Sequence, residues 1–504
     1  MHKTEEPTKP PLISEFLGTV HAWPEHIDAM KEIGLGWTRL DVPWAQLQPR
    51  ANKSVDLSRP TRQGNLRQRF AKIAEGRITL LPILGYSTAW AAAELPFAFE
   101  SRGVRYDLHP CGQEEPSIEC TALDLQSGEQ LGRGPLAEML GEPDCLPPAD
   151  LQTWVDYCEY IVKTLSAPPY NLEYFQVWNE PTIEAGFFAG SPNDFVDRIL
   201  IPAAEIIHSH HGKVVFSGWP CSNSLGEMSA VLNYNEAWRH VDILDVHYMP
   251  PLVFQWLYDE WIATGRCEGI WQTEVCSGIS HALIPDEYPR VLHWALEHGL
   301  GVDDPHRYKL FFYCFPGDDR APAGTGYDGA GLAFENENST WGISRHGAAM
   351  QTLHRLLAGE SLRPFKGVHN NLSIGPTLDT RQESMEAFSV DDRLVVAIHL
   401  DQTHAYLRID DEQRDLWHLS HPFLRRLRFL TLTLPEVPID AVVSVTRVSV
   451  RNLRTPLAPK PNTEGPGIVI DIDPTDTSEH VRAFAAVRPL VKVFYVEIQL
   501  TEPR

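Results

Sequence analysis

The sequence predicts an α/β protein, a (β/α)8 barrel of the TIM type followed by an antiparallel β-sandwich. Through about the first 360 residues, eight short apolar runs alternate with amphipathic stretches of helical periodicity. After about Leu362 that periodicity disappears, and alternating β-branched segments separated by turn signals replace it. We therefore expect an N-terminal tail (1–12), a barrel domain (13–360) and a sandwich domain (361–504).

The barrel prediction depends on the number and order of the apolar runs. Alternating strands and helices imply parallel pairing, and eight repeats in about 350 residues fit a (β/α)8 barrel. The candidate strands are Glu15–Val20, Trp37–Val42, Ile78–Leu84, Tyr174–Trp178, Val214–Gly218, Ile243–His247, Gly269–Thr273 and Lys309–Phe315. The clearest helical stretches are Asp150–Thr164, Asp194–His210, Pro289–His298 and Gly347–Ala358. A doubly wound open sheet is the main alternative, although no GxGxxG motif follows the first strand.

Two insertions interrupt the alternation. Glu94–Pro148 follows the third strand and is rich in Gly, Pro and Glu, and Pro316–Trp341 follows the eighth. Both come after the carboxyl ends of strands, where barrel loops build active sites. A functional role and a purely decorative surface loop are equally compatible with these segments.

The C-terminal part has strand periodicity throughout. Its candidate strands lie in the segments MEAFSVDDRLVVAIHL, HAYLRID, RRLRFLTLTL, AVVSVTRVSV and KVFYVEIQL. We expect this sandwich to stabilise the barrel rather than to bind a ligand of its own.

Composition excludes several classes of function. The net charge is −24, with 67 acidic against 43 basic residues, so a phosphate backbone would be repelled and nucleic acid is not an expected partner. No apolar run is long enough to span a membrane, and no Cys or His spacing predicts a zinc site. The N-terminal segment lacks the apolar core of a signal peptide, which predicts a cytoplasmic protein. A secreted or periplasmic location stays open if a leader was removed.

Polar and aromatic residues recur where the candidate strands end. Because the carboxyl ends of barrel strands surround one opening, these residues describe a pocket with stacking faces and titratable groups. The residues at successive strand ends include His21, Arg39, Tyr86, Glu180, Trp219, His247 and Glu274. Trp219 and Trp341 are candidate stacking platforms by position.

Two carboxylates in this set, Glu180 and Glu274, suggest a chemistry. Glycoside hydrolysis uses one carboxylic acid to protonate the departing oxygen and a second carboxylate to attack the anomeric carbon or to activate water. Glu180 ends the fourth strand and Glu274 the seventh, so both would project over the barrel mouth. A separation of about 5–5.5 Å would predict retention of configuration, and about 6.5–9.5 Å inversion.

The residues around the two carboxylates resemble the motifs of a known group of enzymes. Trp178-Asn179-Glu180-Pro181 after strand four, with Trp271-Gln272-Thr273-Glu274 at strand seven, resembles the retaining glycoside hydrolases of clan A over residues 13–358. The following β-sandwich is most like the arrangement in glycoside hydrolase family 39. The resemblance implies a glycosidase that hydrolyses O-glycosidic bonds of a carbohydrate substrate and needs neither a metal nor another cofactor.

The resemblance also implies roles for individual residues. Glu180 would be the acid/base and Glu274 the nucleophile, and Arg39 would pair with Glu274 and keep it ionised. Asn179 would bind the sugar 2-hydroxyl, and His247 and Tyr248 match the strand-six region that contacts the nucleophile. His21 is a further substrate-binding candidate at the mouth.

Alternatives to a hydrolase remain at this stage. A transglycosylase would use the same residues, and a catalytically inactive carbohydrate-binding protein could keep the same fold. A metal-dependent or aldolase-type barrel would need a cluster of metal ligands or a lysine at a strand end, and neither is apparent. The sequence leaves the sugar, the linkage and the oligomeric state open.

Overall fold

Eight parallel strands close into a barrel in the computed structural model, so the predicted fold class is confirmed. The structure describes residues 12–503 except 112–116, 137–142, 276–282, 318–330, 380–381, 402–429 and 473–490. Numbered from one to eight along the chain, the barrel strands are Leu17–Val20, Trp37–Pro43, Thr79–Gly85, Tyr174–Val177, Lys213–Val215, Ile243–His247, Gly269–Val275 and Tyr308–Phe312. Each pairs with its neighbours in sequence order, and strand one closes the barrel against strand eight.

Strands one, four, six, seven and eight are buried along their whole length, which explains why they appear in the sequence as continuous apolar runs. Helices surround them. Leu151–Leu165, for example, is capped by the Asp150 carboxylate and turns Trp154, Tyr157 and Ile161 into the core. The α-helices of the barrel part are Leu12–Phe16, Ile27–Ile33, Trp44–Leu47, Leu66–Glu75, Leu151–Leu165, Pro192–Phe195, Ile201–Ser209, Leu225–Asn233, Val253–Leu257, Leu283–Glu297 and Arg345–Leu357.

Some element boundaries differ from the sequence-based expectation. Strand one begins at Leu17, because the residues before it form the short helix Leu12–Phe16. The helix expected over Asp194–His210 is divided by a π-helical turn, Val196–Leu200. The helix expected to start at Pro289 begins at Leu283 and contains that proline.

The first insertion contains a small sheet rather than a loop. Four antiparallel strands, Phe97–Ser101, Val104–Cys111, Ser117–Asp124 and Gln130–Pro135, form it in sequence order. Its buried side chains pack with Ile183 and Ala189, which belong to the segment that follows barrel strand four. The second insertion contains a hairpin, Ala333–Glu335 with Trp341–Ile343, and the rest of that predicted loop lies largely outside the described residues.

Two antiparallel sheets follow the barrel. The six-stranded sheet has the order Arg363–Pro364, Ser384–Val390, Arg393–Asp401, Val491–Leu500, Val442–Ser449 and Arg454–Leu457. The four-stranded sheet has the order His369–Asn370, Leu430–Leu434, Ile468–Ile472 and Lys460–Pro461. The predicted strand in HAYLRID and the start of RRLRFLTLTL lie outside the described residues.

The central strand of the six-stranded sheet, Arg393–Asp401, is buried on both faces from Leu394 to Leu400, whereas the edge strand Arg454–Leu457 is largely exposed. Leu394, Val396 and Ile398 point into the core between the two sheets, whereas Val395 and Ala397 belong to the core of the barrel. This double burial accounts for the unbroken apolar run at the start of the sandwich. None of the helices in the described part of the chain is long and apolar enough to cross a membrane.

Candidate active site

Glu180 and Glu274 come together at the carboxyl end of the barrel. Glu180 follows strand four with its side chain 13% exposed, and Glu274 lies in strand seven with its side chain 10% exposed. One carboxylate oxygen of each residue and one ring nitrogen of His247 all lie within 4.8 Å of one another. Two largely desolvated acids thus face the same small volume.

Charged and polar donors surround Glu274. The buried guanidinium of Arg39 donates from Nη1 to Glu274 Oε1 at 2.6 Å, and the Tyr248 hydroxyl donates to Oε2 at 2.6 Å. Burial by itself would lower the pKa of Arg39, but the carboxylates of Glu274 and Asp245 outweigh it and raise that pKa. Arg39 therefore stays charged, and each oxygen of Glu274 accepts a short hydrogen bond.

Arg39 also organises the residues around it. Its Nη2 donates to Asn179 Oδ1 at 2.5 Å, and its Nε donates to Gln176 Oε1 at 2.6 Å. The guanidinium fork therefore joins strand two to strands four and seven and fixes the Asn179 amide beside Glu180.

Glu180 has the opposite environment. Burial raises its pKa to about 7, although the charge of Arg39 partly opposes this. Its Oε1 lies 2.9 Å from Nδ1 of His247, and burial lowers the pKa of His247 to about 3, so that ring is neutral. Glu180 can therefore hold a proton near neutral pH, which a general acid requires.

A buried chain of hydrogen bonds extends beyond Glu180. Nε2 of His247 lies 3.0 Å from the Thr273 hydroxyl, which in turn lies 2.6 Å from Asp245 Oδ2. Burial raises the pKa of Asp245 to about 8. Because imidazole and hydroxyl groups can each donate at one end and accept at the other, this chain can hold a proton at Glu180 or at Asp245.

The backbone around the site is unusual. Trp178, Glu180 and Tyr248 have φ values of 64°, 42° and 51°, in the left-handed region that side-chain-bearing residues seldom adopt. Gly218, with φ 65°, lies so close to His247 that a Cβ there would be 2.1 Å from Nε2. Such strained positions cluster at functional sites, and these surround the two carboxylates.

The structure brings six of the nine sequence-predicted site residues into this cluster: Arg39, Asn179, Glu180, His247, Tyr248 and Glu274. His21 lies at the edge of this cluster: its ring contacts Tyr313, which contacts Tyr248. Its Nε2 is 3.9 Å from Asp41 Oδ2, and both side chains are about 40% exposed. Trp219 is only 2% exposed and stacks on Phe216. Trp341 packs edge-on against His26 at 4.1 Å between ring centroids.

Several residues of the site had not been singled out from the sequence. Gln176, Asp245 and Thr273 lie inside buried strands, where a polar residue resembles any satisfied core group. Tyr86 ends strand three and stacks on Phe187 with 5.8 Å between ring centroids. Tyr86 is among the strand-end residues that the sequence predicts at the pocket, although no role could be assigned to it.

The donor atoms of Glu180, His247 and Glu274 are close enough together to bind a metal ion. However, the Arg39 guanidinium lies 2.6 Å from Glu274 and already neutralises that carboxylate. A cation added to this cluster would be repelled by Arg39, so the set is better suited to proton transfer than to metal binding.

Comparison with known proteins shows which solved structures the fold is similar to. No protein-family model matches the sequence, and no curated protein matches it. The structure is similar to that of a family 39 glycoside hydrolase from the gut symbiont Bacteroides cellulosilyticus WH2, with a TM-score of 0.55 at 11% identity, covering 97% of this chain and 81% of that chain. It is also similar to a GH30 endoxylanase from Clostridium papyrosolvens C71, with a TM-score of 0.51 at 12% identity, covering 97% and 96%.

The chain therefore shares the fold of these two glycoside hydrolases, a closed (β/α)8 barrel with additional antiparallel sheets. At these identities the likeness establishes the fold, and the family 39 resemblance predicted from the sequence is confirmed at that level.

Proposed function

We propose that the protein is a retaining glycoside hydrolase that cleaves O-glycosidic bonds through a glycosyl-enzyme intermediate. The observation that carries the proposal is the pairing of two close carboxylates in opposite environments. Glu274 is held by Arg39 and Tyr248, whereas burial raises the pKa of Glu180 to about 7. The 4.8 Å limit on the distance between their nearest oxygens favours retention over inversion, because inverting enzymes leave room for water between the carboxyl groups.

In the first step the Glu274 carboxylate attacks the anomeric carbon as the glycosidic C–O bond breaks. The proton on Glu180 moves to the departing oxygen, so the leaving group is released as a neutral alcohol and Glu180 becomes ionised. The donors on Glu274 orient it for attack while the bond to carbon forms. Asn179, fixed by Arg39, is suited to bind the sugar 2-hydroxyl next to the reacting carbon.

In the second step Glu180 acts as the base. It takes a proton from water, the water oxygen bonds to the anomeric carbon, and the Glu274 carboxylate is released unchanged. The neutral His247 ring supports both states of Glu180, because its Nδ1 can accept from the acid or, in the other tautomer, donate to the carboxylate. Two inversions at carbon give net retention.

The experiment that tests this proposal is a screen of 4-nitrophenyl α- and β-glycosides and of soluble polysaccharides. Wild type is compared with Glu274→Gln and with Glu236→Gln, an exposed glutamate that serves as the control. We expect wild type and Glu236→Gln to hydrolyse one glycoside class and Glu274→Gln to be inactive. Equal turnover by Glu274→Gln would contradict the proposal, as would sugar binding by wild type with no turnover of any substrate.

A further inference from the structure

A cavity lined by residues that follow Glu180 in the chain has no role in the chemistry proposed above. It has a volume of about 380 Å³, within the range of small-molecule sites. Pro181 and Thr182, the two residues that follow Glu180, form part of its wall. Two residues of the cavity wall therefore directly follow, in the chain, the residue that would protonate the departing oxygen.

Three separate elements build this cavity. One is the segment Pro181–Glu184 after strand four, and another is the loop after strand five with the helix Leu225–Asn233. The third is the Ser101–Arg102 turn, which belongs to the inserted sheet. The insertion thus takes part in a cavity that the barrel loops alone would leave open on one side.

Hydrogen bonds join the three elements around the cavity. Thr182 donates to Asn223 Oδ1 at 3.0 Å, and Asn223 Nδ2 donates to Glu184 Oε2 at 3.0 Å. Arg102 lies 3.3 Å from Glu184 and pairs with Glu227, to which its Nη2 donates at 2.5 Å. The turn of the insertion is therefore held over both barrel loops.

Packing of the inserted sheet against the barrel holds that turn in position. Phe99, Leu108 and Cys120 are buried and pack with Ile183 of the strand-four segment. Because the sheet shares a core with the segment after Glu180, Arg102 is positioned by packing as well as by its ion pairs.

The position of the cavity relative to the two carboxylates indicates what it would bind. Strands four and five are neighbours in the barrel, and Glu274 lies on strand seven. In the displacement at the anomeric carbon, the nucleophile enters from one face and the leaving group departs on the side of the acid. A cavity formed after strands four and five therefore lies on the side of the acid, the side toward which the leaving group departs.

The lining suits a sugar. Pro181 and Tyr234 offer apolar faces for the C–H surface of a pyranose ring, and the side chains of Asn193 and Glu184 offer hydrogen-bonding groups for hydroxyls. An aromatic or aliphatic leaving group would make no hydrogen bonds with those polar groups.

We propose that this cavity is the leaving-group subsite of the enzyme, that it binds the sugar released in the first step, and that the inserted sheet closes it through Arg102. The inference rests on the proposed glycosidase function and deepens it. The substrate class is then an oligo- or polysaccharide that continues beyond the scissile bond, rather than a glycoside of a small alcohol.

The test fills the cavity without touching the carboxylates. Ala230 is exposed on the helix Leu225–Asn233 and lines the cavity, whereas Asn233 is exposed on the same helix and does not line it. Ala230→Trp is compared with Asn233→Trp and wild type, and both variants are first checked for an unchanged thermal transition.

Two substrates of the sugar identified in the glycoside screen give the readout. One is the glycosyl fluoride, whose leaving group is a single atom, and the other is an oligosaccharide with the same glycosyl unit and linkage. We expect Ala230→Trp to lower the ratio of oligosaccharide to fluoride kcat/KM by about tenfold or more. Asn233→Trp should leave that ratio within about twofold of wild type.

A second pair of variants removes charge instead of adding bulk. Arg102→Gln should lower the same ratio, whereas Arg105→Gln on the same sheet, whose ion pair is with Asp107, should not. If wild type turns over both substrates and neither Ala230→Trp nor Arg102→Gln changes the ratio, the subsite is overturned and the glycosidase function stands. If wild type turns over neither substrate, the proposed function fails and the subsite fails with it.

Discussion

Arg39 controls both carboxylates of the site through one buried charge. It pairs with Glu274 at 2.6 Å, and the same charge holds the pKa of Glu180 below the value that burial alone would give. Tyr248, in contrast, donates to Glu274 as a neutral group. The two partners of Glu274 therefore have separable effects on the pH dependence of activity.

The first prediction concerns the pH profile. Because Glu180 must be protonated for the first step and its pKa is about 7, kcat/KM should fall as the pH rises through about 7. Arg39→Met should move that basic limb to higher pH, since removing a positive charge raises the pKa of a nearby carboxyl. Tyr248→Phe should lower the rate and leave the limb in place. A limb that stays near pH 7 in Arg39→Met would contradict this account.

The raised pKa of Glu180 also affects stability. Its pKa in the folded protein, about 7, lies above its ordinary value of 4.5, so its contribution to stability is complete below that value and is lost as the pH rises through about 7. Glu180→Gln cannot ionise. We expect its melting temperature relative to wild type to increase between about pH 4.5 and about pH 7 and to level off above that, measured by calorimetry with Glu236→Gln as the control. A difference that is constant with pH would contradict the assigned environment.

At the scale of elements, the end of strand five positions the end of strand six. Gly218 approaches His247 with φ 65°, and only a residue without Cβ fits there. Gly218→Ala should displace the His247 ring from Glu180 and lower kcat/KM by about 100-fold. Gly226→Ala is the matched control, because the nearest atom to its Cβ would be Ser224 Oγ at 3.8 Å. Full activity of Gly218→Ala would show that the ring position does not matter.

The positions of site residues could be predicted from the sequence where the arrangement of the strands determines them. Parallel strands bring their carboxyl ends to one opening, so Glu180, Glu274 and Arg39 could be placed together from strand order alone. The polar site residues inside the strands and the sheet in the first insertion could not be predicted in this way. Asp245 and Thr273 resemble ordinary satisfied core residues, and the inserted sheet contains many Gly, Pro and Glu residues that mask its alternation.

The direction in which a side chain points could not be predicted from the sequence either. Trp219 follows strand five as expected, but its ring turns into the core and stacks on Phe216. The position of a residue along the chain does not determine which face of its loop a ring packs against. The domain boundary near residue 360 and the roles of the site residues stay predictions.

At the scale of the whole molecule, the barrel and the six-stranded sheet share one hydrophobic core. Phe388, Val395 and Tyr495 of the sheet belong to the same buried cluster as the barrel helices. Arg290 lies at this contact: its Nε donates to Asp286 Oδ1 at 3.0 Å, and its Nη2 donates to the carbonyl of Gln382 at 3.1 Å. Barrel and sheet should therefore unfold together.

Arg290→Met tests that coupling. Removing one partner of a buried ion pair leaves the Asp286 carboxylate without its guanidinium, and we expect a loss of about 3–5 kcal/mol in the free energy of unfolding. Arg239→Met, which removes the exposed pair with Glu236, should change it by less than about 1 kcal/mol. Denaturant unfolding should show one transition in both variants. A separate early transition in Arg290→Met would contradict the shared core.

The measurement that tests the central claim most directly is covalent trapping of the intermediate. A 2-deoxy-2-fluoro glycosyl fluoride of the sugar identified in the screen slows both steps, because fluorine destabilises the oxocarbenium-like transition state, and its good leaving group lets the first step proceed. We predict that intact-protein mass spectrometry shows one added glycosyl unit, that peptide mapping assigns it to Glu274, and that Glu274→Gln remains unlabelled. Inactivation with the label on another residue, or turnover without any adduct and with inversion of the anomeric configuration, would contradict the account.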